Sequence, residues 1–402
     1  MYSVATMPNR QKSFGLFRLD LPPVVTAALF MLITPVTGFF LTVFFRDELG
    51  MDGFRIGLLV AVQAACGLLG AFPTGLANDL VTSRILLSTG LFGQALGLVF
   101  LAAAGGFAAA LGAVFLWSLS NNLCRLSLDV QILKSPSGSP VARRLGLYHG
   151  ARFLGLALGT LLAGVFLTRV SFRTALELTA AFSLLLVIAT RFMSPTAVGR
   201  ARLSDYRADL GDRRVIFFTL WLFLFCSHWG AEGTCYPLYL KDGLKLGMAG
   251  IGYYMAAEYL CVMLAVLLSA GLFEREPSDA DRTLPVLLFC GVILSGAGQA
   301  LLAATGMPWS VVFRMLHGLG DGVMMMFMYL GIWRLFPRQR LGGHTGFIAA
   351  VSMGGYIAGA LIYGSLGERF GYRLPLIISG CLVAFLAVPV LRLAHLAEKV
   401  ET

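Results

Sequence analysis

Twelve apolar runs follow one another through the 402 residues, and each is long enough to cross a bilayer. They cover about 22–45, 54–77, 84–104, 107–132, 144–167, 172–193, 215–239, 248–272, 283–304, 309–333, 343–366 and 373–393. Lipid offers no partner to a backbone amide, so runs of this length leave the helix as the spanning structure. With 57% hydrophobic and 13% charged residues and a mean hydropathy of +0.79, the chain reads as an all-α polytopic membrane protein. The longest polar stretch, from Ser194 to Arg214, holds Arg200, Arg202, Arg207, Arg213 and Arg214. It divides the chain into an expected six-helix bundle at 1–193, a linker at 194–214 and a second six-helix bundle at 215–402.

The net charge of +10 raises the question of nucleic acid, and the placement of the charges answers it. Of the 31 Lys and Arg, 20 fall in the tails and loops on the side of the termini, 8 on the opposite face and 3 inside spans. That asymmetry is a topology signal and puts both termini in the cytoplasm, for a bacterial protein in the inner membrane. The seven cysteines all lie in apolar segments, which suits small core residues and not a disulfide framework. The polar, basic stretch 1–20 and the long run after it do not form a cleavable signal.

The two halves repeat. R-L-G-L-Y-H-G from Arg144 returns as R-L-G-G-H-T-G from Arg340, and L-G-M at Leu49 returns at Leu246. I-G at Ile56 returns at Ile251, G-L at Gly75 returns at Gly271, and S-F-R at Ser171 is answered by G-Y-R at Gly371. Six spans per half is an even number, so both halves start on the same side and the repeat axis runs along the membrane normal. The loop after span 2 reads G-L-A-N-D-L-V-T-S-R from Gly75. With the 6+6 repeat and the basic central loop, it resembles the major facilitator superfamily over essentially the whole chain. Gly75, Asp79 and Arg84 match that family's gating-loop signature, while Leu80, Thr82 and Ser83 depart from it. The second copy, Gly271 to Arg275, lacks the aspartate. Span 5, with Gly150, Gly155, Gly159 and Gly164, is similar to the glycine-rich fifth helix of the family's antiporters but lacks their proline. The resemblance implies twelve helices in two pseudo-symmetric bundles and a central cavity lined by spans 1, 4, 7 and 10.

Charged groups at bilayer depth cost about 2.5–3.5 kcal/mol each on insertion scales, so they face a bundle interior or a wet cavity. In span 10, Arg314, His317 and Asp321 share one helical face at i, i+3 and i+7, continued by Met324, Met325 and Met328. An offset of 196 puts Arg125 of span 4 at the place of Asp321 and Asn121 at that of His317. Span 4 adds Asn122 and Asp129, the latter spaced for an intrahelical pair with Arg125. Span 7 carries His228, Glu232 and Tyr236 on one face next to Trp229. Its Gly230, Gly233 and Pro237 predict a kink or unwinding, matched in span 1 by T-P-V-T-G from Thr34. Glu232 is either an isolated proton carrier or half of a salt bridge with Arg125 or Arg314. Glu258 in span 8 is a second protonation site or a partner for Arg152 or another buried base, and Arg152 reads as snorkelling or helix-pairing.

These features point to a secondary active transporter that moves a small organic solute, anionic or amphipathic, by alternating access coupled to protons. The expected substrate-binding set is Asn121, Asn122, Arg125, His228, Trp229, Tyr236, Arg314 and His317, and the expected coupling set is Glu232, Asp321, Glu258 and Asp129. The alternative is export of lipophilic or cationic compounds held directly by Glu232 and Asp321. Metal transport is weaker: methionines and Cys226 suit soft ions, but no HxxxH or CxxC spacing is present. No loop is large enough to assemble an enzyme active site, and no phosphate loop supports ATP-driven transport. No cofactor, no resident metal and no nucleic acid are expected. The partners are the bilayer, the solute and protons, and the chain is expected to be a monomer.

Overall fold

The computed structural model describes residues 21–38, 40–135, 139–199, 202–273 and 283–390. The two tails, Arg200 and the Arg275 of the second loop copy lie outside them. Among the described residues every regular element is helical. Twelve helices are long and apolar enough to cross a membrane: span 1 Leu21–Gly38, span 2 Arg55–Leu80, span 3 Ser83–Ala102, span 4 Phe107–Leu133, span 5 Val141–Phe166 and span 6 Phe172–Thr190. Span 7 is Arg213–Gly243, span 8 Ala249–Phe273, span 9 Leu284–Ala304, span 10 Trp309–Leu335, span 11 Arg338–Phe370 and span 12 Arg373–Val390. Large apolar side chains such as Leu69, Phe92, Leu185, Leu268, Leu361 and Phe385 point outward, as a lipid-facing belt requires.

Spans 1–6 pack through the pairs 3–4, 1–5, 3–6 and 2–4, and spans 7–12 through the corresponding pairs 9–10, 7–11, 9–12 and 8–10. Spans 2 with 11 and 5 with 8 join the two sets. Local contacts repeat as well. Arg173, from the S-F-R island, donates to the carbonyl of Ala102 at the end of span 3, and Arg373, from G-Y-R, donates to that of Ala304 at the end of span 9. Gln94 reaches Ser183 at 3.1 Å between spans 3 and 6, and Gln299 reaches Ser379 at 2.7 Å between spans 9 and 12.

Two expectations about helix interruption change. Span 1 does not run to residue 45: it ends at Gly38, and a separate short helix, Leu41–Asp47, follows. Pro35 lacks the amide that would bond back to the Met31 carbonyl, and the hydroxyls of Thr34 and Thr37 compete for the backbone by bonding to the Phe30 and Thr34 carbonyls. Span 7 is not unwound at Gly230 and Gly233. It stays α-helical to Leu238 and widens into a π-turn only at Tyr239–Gly243, just beyond Pro237. The glycines serve close approach: a Cβ at Gly230 would meet the backbone of span 11 at Tyr356, Gly359 and Ala360. Gly155 and Gly159 let spans 5 and 1 meet in the same way, backbone against backbone.

Candidate functional site

A cavity of about 370 Å³ lies between the two sets of helices. Spans 2, 4 and 5 supply Gly67, Asn122, Arg125, Leu126, Asp129, His149, Arg152 and Phe153; spans 7, 10 and 11 supply Trp229, Met325, Met328, Tyr329, Ile332, Ile348, Ser352 and Tyr356. Span 1 contributes none of the described lining residues, so the implied set of spans 1, 4, 7 and 10 is only partly what surrounds it.

The polar floor of the cavity is organised by Asp129. Its carboxylate accepts from Tyr148 Oη at 2.7 Å, from Arg152 Nη1 at 2.8 Å and from Tyr329 Oη at 2.7 Å. The first two come from span 5 and the third from span 10, so one carboxylate ties the two sets of helices together. The expected intrahelical pair with Arg125 is therefore not formed: Asp129 is saturated by Arg152, which is a helix-pairing residue and not a snorkelling one. Arg125 instead is exposed into the cavity, with no ion pair or hydrogen bond to any described residue. Asn122, one turn earlier, also has an amide nitrogen without a partner. Two guanidinium groups against one carboxylate leave this group with one surplus positive charge and idle N–H donors. Asn121 does not belong to the site: its amide donates to Gln94 at 3.2 Å, inside the first set of helices.

The residues singled out in spans 7, 8 and 10 form a second, buried group that lies beside the cavity. Arg314, 2% exposed, contacts Glu232 and Glu258 at once, and its guanidinium stacks 4.2 Å over the Tyr236 ring. Glu232 is therefore not an isolated carboxylate; it is the partner of Arg314, and Glu258 is the other. His317 Nε2 lies 3.0 Å from Glu232 Oε1 and 3.6 Å from Asp321 Oδ2, and His228 Nε2 lies 3.6 Å from the same Asp321 oxygen. Asp321 also accepts from Trp229 Nε1 at 2.9 Å and from Ser295 Oγ at 2.6 Å. Of this group only Trp229 lines the cavity. His228, Tyr236, Arg314 and His317 are not among the residues that line it, and Trp229 is the bridge between the two groups.

The expected gating loop is a clamp. The Asp79 carboxylate contacts Lys134 at the end of span 4 and accepts from Tyr206 Oη at 2.7 Å. It also accepts from the backbone N–H groups of Gly342 at 2.8 Å and Gly343 at 2.6 Å, at the start of the long span 11 helix. An anion at a helix N-terminus meets both unpaired amides and the positive end of the helix dipole. A Cβ at Gly75 would meet the Gly342 carbonyl and the Gly346 backbone, so only glycine allows this approach of span 2 to span 11. Arg84 takes no part in these contacts and reaches the Met193 carbonyl at 3.4 Å, within the first set of helices. Tyr206 belongs to a linker helix, Leu203–Leu210, whose Asp209 takes Arg340 at 2.7 and 2.8 Å and His344 Nε2 at 2.8 Å. Burial alone would raise the Asp209 carboxyl, but the hydrogen bonds from Arg340 and His344 prevail and hold it below its usual range.

Sequence reasoning passed over His149, Tyr148, Tyr329, Ser295 and Tyr206. The signal for the first two was in hand, since Y-H sits inside the R-L-G-L-Y-H-G island. Tyr329 and Ser295 carried none, because an isolated hydroxyl in an apolar run has no periodic partner.

Twelve crossing helices, a cavity between two sets of six and a clamp on one side of it define a polytopic membrane transporter. The chain belongs to the Major Facilitator Superfamily, whose sequence profile matches residues 24–284 and 280–401. No curated protein sequence matches it. Its fold is similar to that of the human organic anion transporter MFSD10 (TETRAN), with a TM-score of 0.67 at 16% identity over 92% of this chain and 98% of that one. It is also similar to the nucleoside transporter NupG, with a TM-score of 0.69 at 14% identity over 94% of this chain and all of that one. The protein is a multi-pass membrane protein and a secondary transporter of this superfamily.

Proposed function

We propose that the protein carries a small organic anion together with a proton, by alternating access of the cavity to the two faces of the membrane. The observation that carries this reading is Arg125: a guanidinium open to the cavity and in no ion pair with a described residue, next to the unpartnered amide of Asn122. A charge is retained at this depth when a ligand completes it. The facing wall of Met325, Met328, Ile348 and Phe153 suits the apolar body of an amphipathic anion, and about 370 Å³ suits a small one.

Asp129 is the residue we assign to coupling. An anion arriving at Arg125 competes with the Asp129 carboxylate for Arg152, and a proton arriving with it on Asp129 leaves the surplus charge of the group unchanged. Neutral Asp129 holds Tyr329 by an ordinary hydrogen bond instead of a charge-assisted one, which loosens the tie between the halves. The clamp at Asp79 holds the linker side together, and the excess of basic residues on that side supports a cytoplasmic placement. Export of cations on Glu232 and Asp321 has less support, because neither carboxylate lines the cavity. The test is a thermal-shift screen of aliphatic and aromatic carboxylates on purified protein, followed by counterflow in liposomes. Arg125→Gln is expected to abolish both responses with its melting temperature unchanged; normal anion binding by that variant sinks the reading.

A further inference from the structure

The buried group of spans 7 and 10 has an unbalanced charge and an arrangement of lone pairs that the transport reading does not use. His317 Nδ1 lies 2.7 Å from the Ser295 carbonyl, and His228 Nδ1 lies against the Phe225 carbonyl. A carbonyl oxygen only accepts, so each Nδ1 carries a proton and Nε2 is the ring atom turned inward, a lone pair when the ring is neutral and a donor when it is charged. Both rings are fully buried, and neither Nε2 has a hydrogen-bond partner of proper geometry. Both instead face carboxylate oxygens, Glu232 at 3.0 Å and Asp321 at 3.6 Å from His317, and Asp321 at 3.6 Å from His228. A proton on Nε2 would be donated to those oxygens, yet neither contact has hydrogen-bond geometry, and a lone pair facing a carboxylate deep in protein repels unless a metal ion joins them.

We propose that His228, Glu232, His317 and Asp321 bind one divalent transition-metal ion of the zinc class. The spacing fits: a four-coordinate ion with bonds of ~2.0–2.2 Å separates its ligand atoms by roughly 3.3–3.5 Å. The candidate ligand atoms of His228, Glu232 and His317 all lie within 4.8 Å of one another. The charge fits too: Glu232, Glu258 and Asp321 set three negative charges against the one of Arg314, which leaves two for a dication. The outer shell is of the kind that orients metal ligands: carbonyls on both Nδ1 atoms, Ser295 and Trp229 on Asp321, and Arg314 on Glu232. All four ligands belong to the second half, two from span 7 and two from span 10. The halves can part without breaking the site, so the ion is resident and not cargo.

The test uses full-length purified protein in detergent. Titration with CoCl₂ is expected to give the intense visible d–d bands of four-coordinate cobalt, saturating at one ion per chain, and ZnCl₂ is expected to displace it and raise the melting temperature. His228→Gln and His317→Gln should each weaken Zn²⁺ binding at least ~10-fold, the scale of losses at metal sites. His149→Gln and His344→Gln, both away from the group, should bind as the wild type does. If the wild type shows no such bands, or if they survive in the His228→Gln/His317→Gln double variant, the proposal is overturned. The wild-type spectrum decides even where a variant does not fold.

Discussion

The 196-residue repeat offset pairs Arg125 of span 4 with Asp321 of span 10, and their surroundings have opposite solutions to the same electrostatic problem. In the first half, two arginines face one aspartate, and the surplus charge is left open to a cavity. In the second, three carboxylates face one arginine, and the surplus is walled off among histidines. A shared backbone frame therefore does not dictate the sign or the accessibility of the charge it carries. What separates the two is packing. Span 4 turns Arg125 toward the gap between halves, whereas spans 7, 8 and 9 close around span 10. An open surplus recruits a mobile ligand from solution; a closed one must be balanced by neighbouring groups or by something as small as an ion.

The largest expected effect tests the closed group. Glu232→Gln/Glu258→Gln removes both partners of Arg314 and leaves a buried guanidinium uncompensated, at a cost of about 3–5 kcal/mol. Each single variant keeps one partner and should lose less than half of that in chemical-unfolding experiments; a double variant as stable as wild type ends the distinction between the two groups. Next comes Arg125→Gln, which strips a charge with no protein partner. Anion affinity should fall at least ~100-fold, about 2.7 kcal/mol, while stability holds, so that affinity and melting temperature move together only if Arg125 is structural. Tyr329→Phe then probes the one hydrogen bond that crosses from the open group into span 10, worth about 1.5–3 kcal/mol to a charged acceptor. Uptake assays should show faster exchange with weaker proton dependence, and unchanged proton stoichiometry argues against Asp129 as the coupling residue. The smallest effect concerns the linker, whose Asp209 holds Arg340 and His344 at the start of span 11. Because Asp209 has its pKa lowered by folding, its contribution is present above the ordinary carboxylate pKa and fades as pH falls through the lowered value. Asp209→Asn should flatten only that acidic limb of the stability profile, measured by thermal melts between neutral and strongly acidic pH.

The helices and the repeat were legible because both rest on period and length: apolar runs define spans, and islands such as S-F-R and G-Y-R later prove to anchor Arg173 and Arg373 in the same way. The clamp residue Asp79 was legible as a motif, but its partners Tyr206 and Gly342 were not, since they come from segments more than a hundred residues away. Pairing inside the membrane was the weakest inference. Arg125 and Asp129 are spaced to meet along one helix, yet Arg152 and two tyrosines from neighbouring helices take the carboxylate first. The proposed metal ligands have neither HxxxH nor CxxC spacing. The chain instead carries His228 with Glu232 and His317 with Asp321, two i, i+4 pairs whose shared centre exists only when spans 7 and 10 face each other.

Consider last what the Asp79 clamp means for the rhythm of the transport cycle. One carboxylate draws together an amine from span 4, a hydroxyl from the linker and two amides of span 11. None of these contacts can lengthen alone without weakening the rest, since all share the same two oxygens. In the proposed cycle, opening is then expected as a single concerted event and not a gradual widening, with turnover set by how often the clamp lets go and a temperature dependence steeper than that of ligand binding in the cavity.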